Sequence, residues 1–253
     1  MLGLGNSLST TKAPSGGFLL TDIDGLDIWL QYNVGFPAGI ANGETVPSWS
    51  DSWAKENHAV QDSTDFQPTY HNGAADFMED DERAKLGFTA IENVESTIFI
   101  VIEADAGTRM TLFSSSRSSQ VFYKINQTSS VEYRIRKGST RAEDNSDINT
   151  ELEPFVNATT PMLIVFHQKE EMNMDIHTSG NGQNEVHQHD NYGVQAGGTN
   201  TTLKIDQLGV QGSQSDPFNG RILEFAVYDT SLSDDNVLKV KENIAKRTGV
   251  NLG

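Results

Sequence analysis

The chain of 253 residues has no cysteine and no long apolar run. Without cysteine, it can form neither a disulfide-stapled scaffold nor a zinc site built from thiolates. Without a run of 18 apolar residues, the sequence predicts no membrane-spanning helix. The opening, MLGLGNSLSTTKAPSGG, also lacks the basic start and continuous apolar core of a secretory signal peptide. We therefore expect no signal peptide.

Basic residues are scarce as well. The chain has 18 Lys and Arg against 35 Asp and Glu, which gives a formal net charge of −17. This balance argues against nucleic acid and anionic membrane surfaces as partners. The length suits one large β domain with a proper core.

Helical periodicity is rare, and the one convincing helix closes the chain. Ser233 is a good N-cap, and Gly249 is a natural residue to end the helix. Between them, an apolar stripe at helical spacing is formed by Val237, Val240 and Ile244 and, one step round, by Leu238 and Ala245.

Most of the remaining chain has the pattern of β-strands. Residues 96–103 and 162–166 are almost continuously apolar, which is typical of central strands covered on both faces. Before the helix, alternation predicts a strand with Ile222, Glu224, Ala226 and Tyr228 on one face and Leu223, Phe225 and Val227 on the other. Further strands are predicted at 26–32, 110–113, 120–125, 131–137, 172–177, 185–189 and 201–208. Asn-Gly at 181–182 predicts a hairpin turn.

Several short motifs follow one another in a recognisable order. They are Gly25 to Leu30 (GLDIWL), Trp49-Ser50-Asp51, Gln67-Pro68-Thr69-Tyr70 ahead of Phe77, and Gly220-Arg221-Ile222-x-Glu224 with Tyr228-Asp229, Leu232-Ser233 and the final helix. This order resembles laminin-G-like, concanavalin A-like jelly-roll domains. The resemblance implies an all-β, two-sheet antiparallel sandwich over residues 22–253 with one C-terminal α-helix. Residues 1–21 are then predicted to be a flexible N-terminal arm.

The opening LGLGNSLS is similar to virion structural proteins of tailed phages that infect marine cyanobacteria. That similarity implies a non-enzymatic virion surface protein, such as a head-decoration, tail or fibre component. Its expected partners are other virion proteins, further copies of itself and host-surface glycans. Two alternatives stay open, because this sandwich hosts many functions. One is a secreted carbohydrate-binding lectin module, and the other is a glycoside hydrolase.

The hydrolase alternative depends on carboxylates. Concanavalin A-like glycanases carry a Glu-x-Asp-x-x-Glu strand, in which one carboxyl is the nucleophile and another the acid. The nearest match is Glu103-Ala-Asp105, but Thr108 occupies the third position. We therefore expect no catalytic residue.

Candidate ligand-binding residues lie on predicted loops, where binding residues usually lie on a rigid scaffold. The aromatic residues Trp53 and Tyr192 are the predicted exposed ones, and Asp190 and Asn191 share the loop 189–200 with Tyr192. Trp49 matches a family position and is expected in the core. The acidic stretch 138–160 is predicted to be a second binding loop.

A metal site has partial support. His187 and His189 are two residues apart on a predicted strand and would point to the same face. His167 or His177 is the candidate third ligand, and the alternative is a polar, solvent-facing strand.

The stretch from Asp22 to Asp27 has some likeness to a calcium loop but lacks the distal Glu, so a turn is favoured. No cofactor is expected, and Ca²⁺ or another divalent ion has no complete motif.

Overall fold

The computed structural model describes residues 18–77, 83–93, 95–104, 109–116, 118–126, 132–137, 140–143, 160–170, 173–180, 183–188, 203–210 and 216–252. In these ranges the chain forms two antiparallel sheets and one α-helix, α1 (Asp234–Thr248). The strands are β1 (Leu26–Leu30), β2 (Ser48–Trp49), β3 (Ala59–Val60), β4 (Thr69–His71), β5 (Ala74–Asp76), β6 (Leu86–Asn93), β7 (Ser96–Ala104), β8 (Arg109–Ser115), β9 (Ser118–Asn126), β10 (Glu132–Lys137), β11 (Thr140–Glu143), β12 (Met162–Glu170), β13 (Asn173–Gly180), β14 (Gln183–Gln188), β15 (Leu203–Leu208) and β16 (Gly220–Tyr228).

The predicted two-sheet sandwich is confirmed. The first sheet has the order β14-β13-β12-β7-β16-β5-β4, and β1 also pairs with β16. The second has the order β11-β10-β9-β8-β15-β6-β3-β2. Neighbouring strands in a sheet are often distant in sequence, because each sheet takes strands from both halves of the chain. None of the helices in the described ranges is long and apolar enough to cross a membrane.

The apolar residues form two layers, one on each face of the first sheet. On β7, Ile98, Ile100 and Ile102 belong to the core between the sheets. Phe99 and Val101, which alternate with them, belong to a second core beneath α1. Strand β12 divides its residues in the same way. Both strands are therefore continuously apolar because each face packs against another layer.

Strand β16 departs from the predicted alternation. Its pairing with β7 shifts between Ile222 and Glu224. Ile222 therefore joins Phe225 in the core between the sheets, whereas Leu223 joins Ala226 in the core beneath α1. A bulge of this kind inserts one residue and reverses the faces that follow it.

Helix α1 begins and ends as predicted. The Ser233 hydroxyl accepts a hydrogen bond from the Asn236 N–H, and Gly249 ends the helix at φ 78°, with its N–H donating to the Ala245 carbonyl. Val237, Val240 and Ile244 are buried, whereas Leu238 is 51% exposed. The expectation that Leu238 belongs to the buried stripe was wrong, because its position turns it away from the sheet.

The packed part of the chain includes the last residues of the predicted N-terminal arm. Leu20 is fully buried in the core beneath α1, and Phe18 packs against that core. The Tyr228 hydroxyl donates to the Leu20 carbonyl at 2.9 Å, and the Asn243 amide donates to the Phe18 carbonyl at 2.6 Å. Residues 18–21 therefore belong with the sandwich. Residues 1–17 lie outside the described ranges.

Two predicted loop regions are partly described. The stretch 138–160 contains β11, which pairs with β10 and is the last strand of its sheet, so this stretch is not a continuous loop. Residues 181–182 are outside the described ranges, but β13 and β14 pair antiparallel on either side of them, with Gly180 opposite Gln183.

Candidate functional site

A polar groove lies where the loop before β3 meets β6. Its volume is about 440 Å³. The residues that line it come from β1, from the loop 50–58 and from β6, and they are Asp27, Lys55, Asn57, Thr89, Ala90, Ile91, Glu92 and Asn93. The groove is thus a shallow site on the rim of a rigid sandwich.

The buried carboxylate of Asp51 holds the loop that forms one wall of the groove. Its Oδ1 accepts hydrogen bonds from the N–H groups of Trp29 at 2.9 Å and Trp53 at 3.0 Å. Its Oδ2 accepts from the N–H of Asn57 at 3.0 Å. The Asp51 N–H itself donates to His58 Nδ1 at 3.0 Å. One side chain therefore ties both ends of the loop to β1.

Asn57 fastens the same loop to β6. Its amide oxygen accepts from the Thr89 N–H at 2.8 Å, and its amide nitrogen donates to the Thr89 carbonyl at 3.1 Å. These two hydrogen bonds have the same donor and acceptor pattern as the backbone pairing of a neighbouring strand. Because Asp51 and Asn57 together fix the loop, the groove is pre-organised and needs little ordering to receive a ligand.

The charged groups of the groove are arranged as pairs. Lys55 forms an ion pair with Asp27, whose other oxygen accepts from the Asn93 amide at 3.1 Å. Glu92 forms an ion pair with Lys204 on β15. Beside the groove, burial and the negative charge of Asp27 raise the pKa of Asp229, and Lys55 opposes that shift. Each groove carboxylate is thus matched by one lysine ammonium.

Of the predicted ligand-binding residues, Trp53 can be placed. It lies on the loop that walls the groove, but it is half-buried and packs against the core beneath α1. Its side chain is therefore not the freely exposed ring that was expected. Tyr192, Asp190 and Asn191 lie outside the described residues, and their roles stay predictions.

The predicted metal ligands are only partly placed. His187 lies on β14 directly opposite His177 of β13, whereas His189 is outside the described ranges. His167 is buried on β12, and its Nε2 lies 2.9 Å from the Ser231 hydroxyl. No group of three or more His, Cys, Asp or Glu in the described part of the chain could hold a metal. The metal site stays a prediction.

The glycanase-like carboxylate is engaged in an ion pair. Glu103 accepts from Arg221 Nη1 at 2.9 Å, and Arg221 Nε donates to Asp76 at 3.0 Å. Arg221 thus bridges two carboxylates across β7, β16 and β5. Asp105 and Thr108 lie outside the described residues.

The wall of the groove on β6 was not predicted from the sequence. Leu86, Phe88 and Ile91 face the core, but Thr89 and Ala90 interrupt the alternation between Phe88 and Ile91. The pairing partner β15 shows the matching irregularity, between Ile205 and Gln207. Asp51 did stand out, because it ends the Trp49-Ser50-Asp51 motif, but the sequence does not show that it holds a loop.

Comparison with known proteins shows the fold and no closer relationship. No family model matches the chain, and no curated protein matches it. Among solved structures, it is similar to an arabinofuranosidase complexed with arabinofuranosyl-α-1,2-xylobiose, with a TM-score of 0.57 and 11% identity. It is also similar to a GH54 α-L-arabinofuranosidase soaked with a cyclic sulfate inhibitor, with a TM-score of 0.54 and 12% identity.

The two arabinofuranosidases are matched over 81% of this chain and 51% of theirs, so the chain spans about half their length. A further match is the CBM40 of the Ruminococcus gnavus IT-sialidase bound to α2,3-sialyllactose, with a TM-score of 0.39 and 18% identity, over 60% of this chain and 82% of that one. These structural neighbours are carbohydrate-binding or glycoside-hydrolase proteins with β-sandwich domains.

Proposed function

We propose that this chain is a non-enzymatic glycan-binding β-sandwich protein carried on the surface of a tailed-phage particle. The observation that supports glycan binding is the pre-organised polar groove between the loop 50–58 and β6. Its lining combines carboxylates, a lysine ammonium and a threonine hydroxyl on a rigid frame. Such fixed polar groups match the hydroxyl groups of a sugar, and binding costs little ordering.

The absence of catalysis is supported by how the described carboxylates are used. Glycoside hydrolysis needs one carboxyl that donates a proton and a second that attacks or activates water. Glu103 and Asp76 share Arg221, and in the groove Asp27 and Glu92 are paired with Lys55 and Lys204. These four carboxylates are thus already bound by cations of the protein itself, which does not suit an acid and a nucleophile that face one sugar.

The virion assignment depends on the sequence. The similarity of the opening LGLGNSLS to virion structural proteins supports it, and the negative charge is compatible with a particle surface. In this role the chain binds other virion proteins or copies of itself, and the groove faces outward to host glycans.

A glycan array tests the groove. Ala90 is exposed and lines it, so Ala90→Trp should fill the groove without disturbing the core. Ala38→Trp is the matched control, because Ala38 is also exposed but lies outside the groove, on the loop between β1 and β2. We expect the unmodified chain and Ala38→Trp to bind the same glycans and Ala90→Trp to lose them. Equal binding by both variants would place the site elsewhere.

Two further measurements test the other parts of the proposal. Chromatography of the bound glycans after long incubation should show no shortened product, and any turnover would contradict a non-enzymatic role. Antibodies against the chain should label purified phage particles in electron micrographs. Unlabelled particles would contradict the virion assignment and leave the lectin alternative.

A further inference from the structure

We infer that the groove selects neutral glycans and rejects sialylated, uronic-acid-containing or sulfated ones. This inference rests on the proposed glycan binding at the same groove. It comes from the juxtaposition of Asp27 and Glu92 with cations that are already paired within the protein.

The cations in and beside the groove are already paired. Among the groove's lining residues, Lys55 is the one cation, and its ammonium contacts Asp27. An anionic ligand that used Lys55 would have to displace Asp27, which the Asn93 amide also holds. Lys204, the nearest cation on β15, is bound in the same way to Glu92. Neither ammonium is therefore free to neutralise an incoming anion.

The charges of the groove offer nothing that attracts an anion. The carboxylates of Asp27 and Glu92 are balanced by the ammonium groups of Lys55 and Lys204, so these four side chains carry no net positive charge. The whole chain carries a formal charge of −17, which sets a negative field around the groove. An anionic sugar would enter against this field.

The hydrogen-bonding groups that the groove leaves available are mainly acceptors. Both polar atoms of the Asn57 side chain are committed to Thr89, so this amide offers little to a ligand. The side chain of Glu92 is 53% exposed and presents acceptor oxygens. Sugar hydroxyls can donate to such oxygens, whereas sulfate and carboxylate groups can only accept. The available groups therefore complement neutral hydroxyls.

The test compares glycans on one array as matched pairs: a neutral glycan and the same glycan with one sialic acid, uronic acid or sulfate added. We expect the neutral member to bind at least roughly tenfold more tightly. The preference should shrink as NaCl is raised, because salt screens exposed charges.

The preference for neutral glycans should also shrink in Glu92→Gln, which removes a groove carboxylate and releases Lys204. Glu242→Gln, on the exposed face of α1, makes the same change in net charge and should leave the preference unchanged.

The outcomes distinguish the preference for neutral glycans from glycan binding itself. Binding that favours the charged members, or a preference that is the same in Glu92→Gln and the unmodified chain, would overturn this inference while glycan binding stands. Binding to no glycan at all would overturn the proposed function and this inference with it.

Discussion

At the scale of single residues, Ile244 is a sensitive point of attachment between α1 and the first sheet. It is fully buried and belongs to the core beneath the helix. Ile244→Ala should therefore lower the free energy of unfolding by about 2–4 kcal/mol, through lost apolar burial and the cavity left behind. Chemical denaturation would measure it. Leu238→Ala, on the exposed face, is the control and should change stability by less than about 0.5 kcal/mol. Equal effects would show that the helix is not packed as described.

Tyr228 makes the stability of the sandwich sensitive to alkaline pH. Burial raises the pKa of Tyr228 above its ordinary value of 10.0, and its hydroxyl donates to the Leu20 carbonyl. Above about pH 10 the unfolded chain loses this proton first, so the unfolded state binds fewer protons and stability falls. The contribution of Tyr228 to the free energy of unfolding is therefore complete below about pH 10 and is lost as the pH rises further.

Tyr228→Phe isolates this effect, because phenylalanine does not titrate. The stability advantage of the unmodified chain over the variant should shrink as the pH rises from about 10 to about 12 in urea unfolding experiments. An advantage that stays constant over this range would mean that the hydroxyl is solvated in the folded chain.

Some residue roles cannot be predicted from the sequence, because their partners are far apart along the chain. Glu224 is 1% exposed, and it accepts from the Trp29 indole N–H at 2.8 Å and pairs with Arg247 of α1. Arg247 also lies over the Trp29 ring, 5.1 Å from its centroid. Burial raises the pKa of Glu224, and Arg247 and Trp29 act in the opposite direction. The sequence shows a charged residue on a strand, but only the fold supplies the two partners that allow its burial.

At the scale of elements, prediction succeeded where one pattern continued without interruption. The apolar strands β7 and β12, the consecutive β8, β9 and β10, and the capped helix α1 were all placed from periodicity and capping residues. Prediction failed at irregularities. The bulge in β16 reversed the faces of its last residues, and the break at Thr89 hid β6. A bulge is set by packing against neighbouring strands, so the local sequence carries little sign of it.

The N-terminal segment 18–21 is the element whose role the structure changes most. Because Leu20 is fully buried, deletion of 1–21 should lower the melting temperature by roughly 5 °C or more. Deletion of 1–17 alone should leave it nearly unchanged. Differential scanning calorimetry of the two truncated chains would show the contrast. Similar melting temperatures for both would mean that the buried contacts of Phe18 and Leu20 contribute nothing.

The same two truncations test the predicted arm. If residues 1–17 attach the chain to a particle or a sister subunit, both truncated chains should lose co-sedimentation with purified particles. The shorter deletion would then separate attachment from folding, since it should remove the first and keep the second. Retained co-sedimentation would contradict the attachment role.

At the scale of the whole molecule, one sheet carries two cores. The first sheet faces the second sheet on one side and α1 on the other, so its strands are held from both faces. The candidate groove lies at the rim, and of its lining residues only Ile91 also belongs to the core between the sheets. The sequence could therefore predict the layers, which follow from apolar patterning. It could not predict the groove, which depends on how the loop 50–58 meets β6 in three dimensions.

The net charge should limit the stability of the whole molecule. At neutral pH a chain with a formal charge of −17 repels itself, and this repulsion opposes the compact state. Salt shortens the range of the repulsion to about 10 Å at 0.1 M, so added NaCl should raise the melting temperature by about 2–5 °C. The control is the same titration near pH 4.6, the sequence pI, where net repulsion vanishes and NaCl should have little effect.

A melting temperature that falls with NaCl at neutral pH would contradict this prediction. It would show that ion pairs such as Arg221 with Asp76 and Glu103 outweigh the repulsion, because salt weakens those attractions instead.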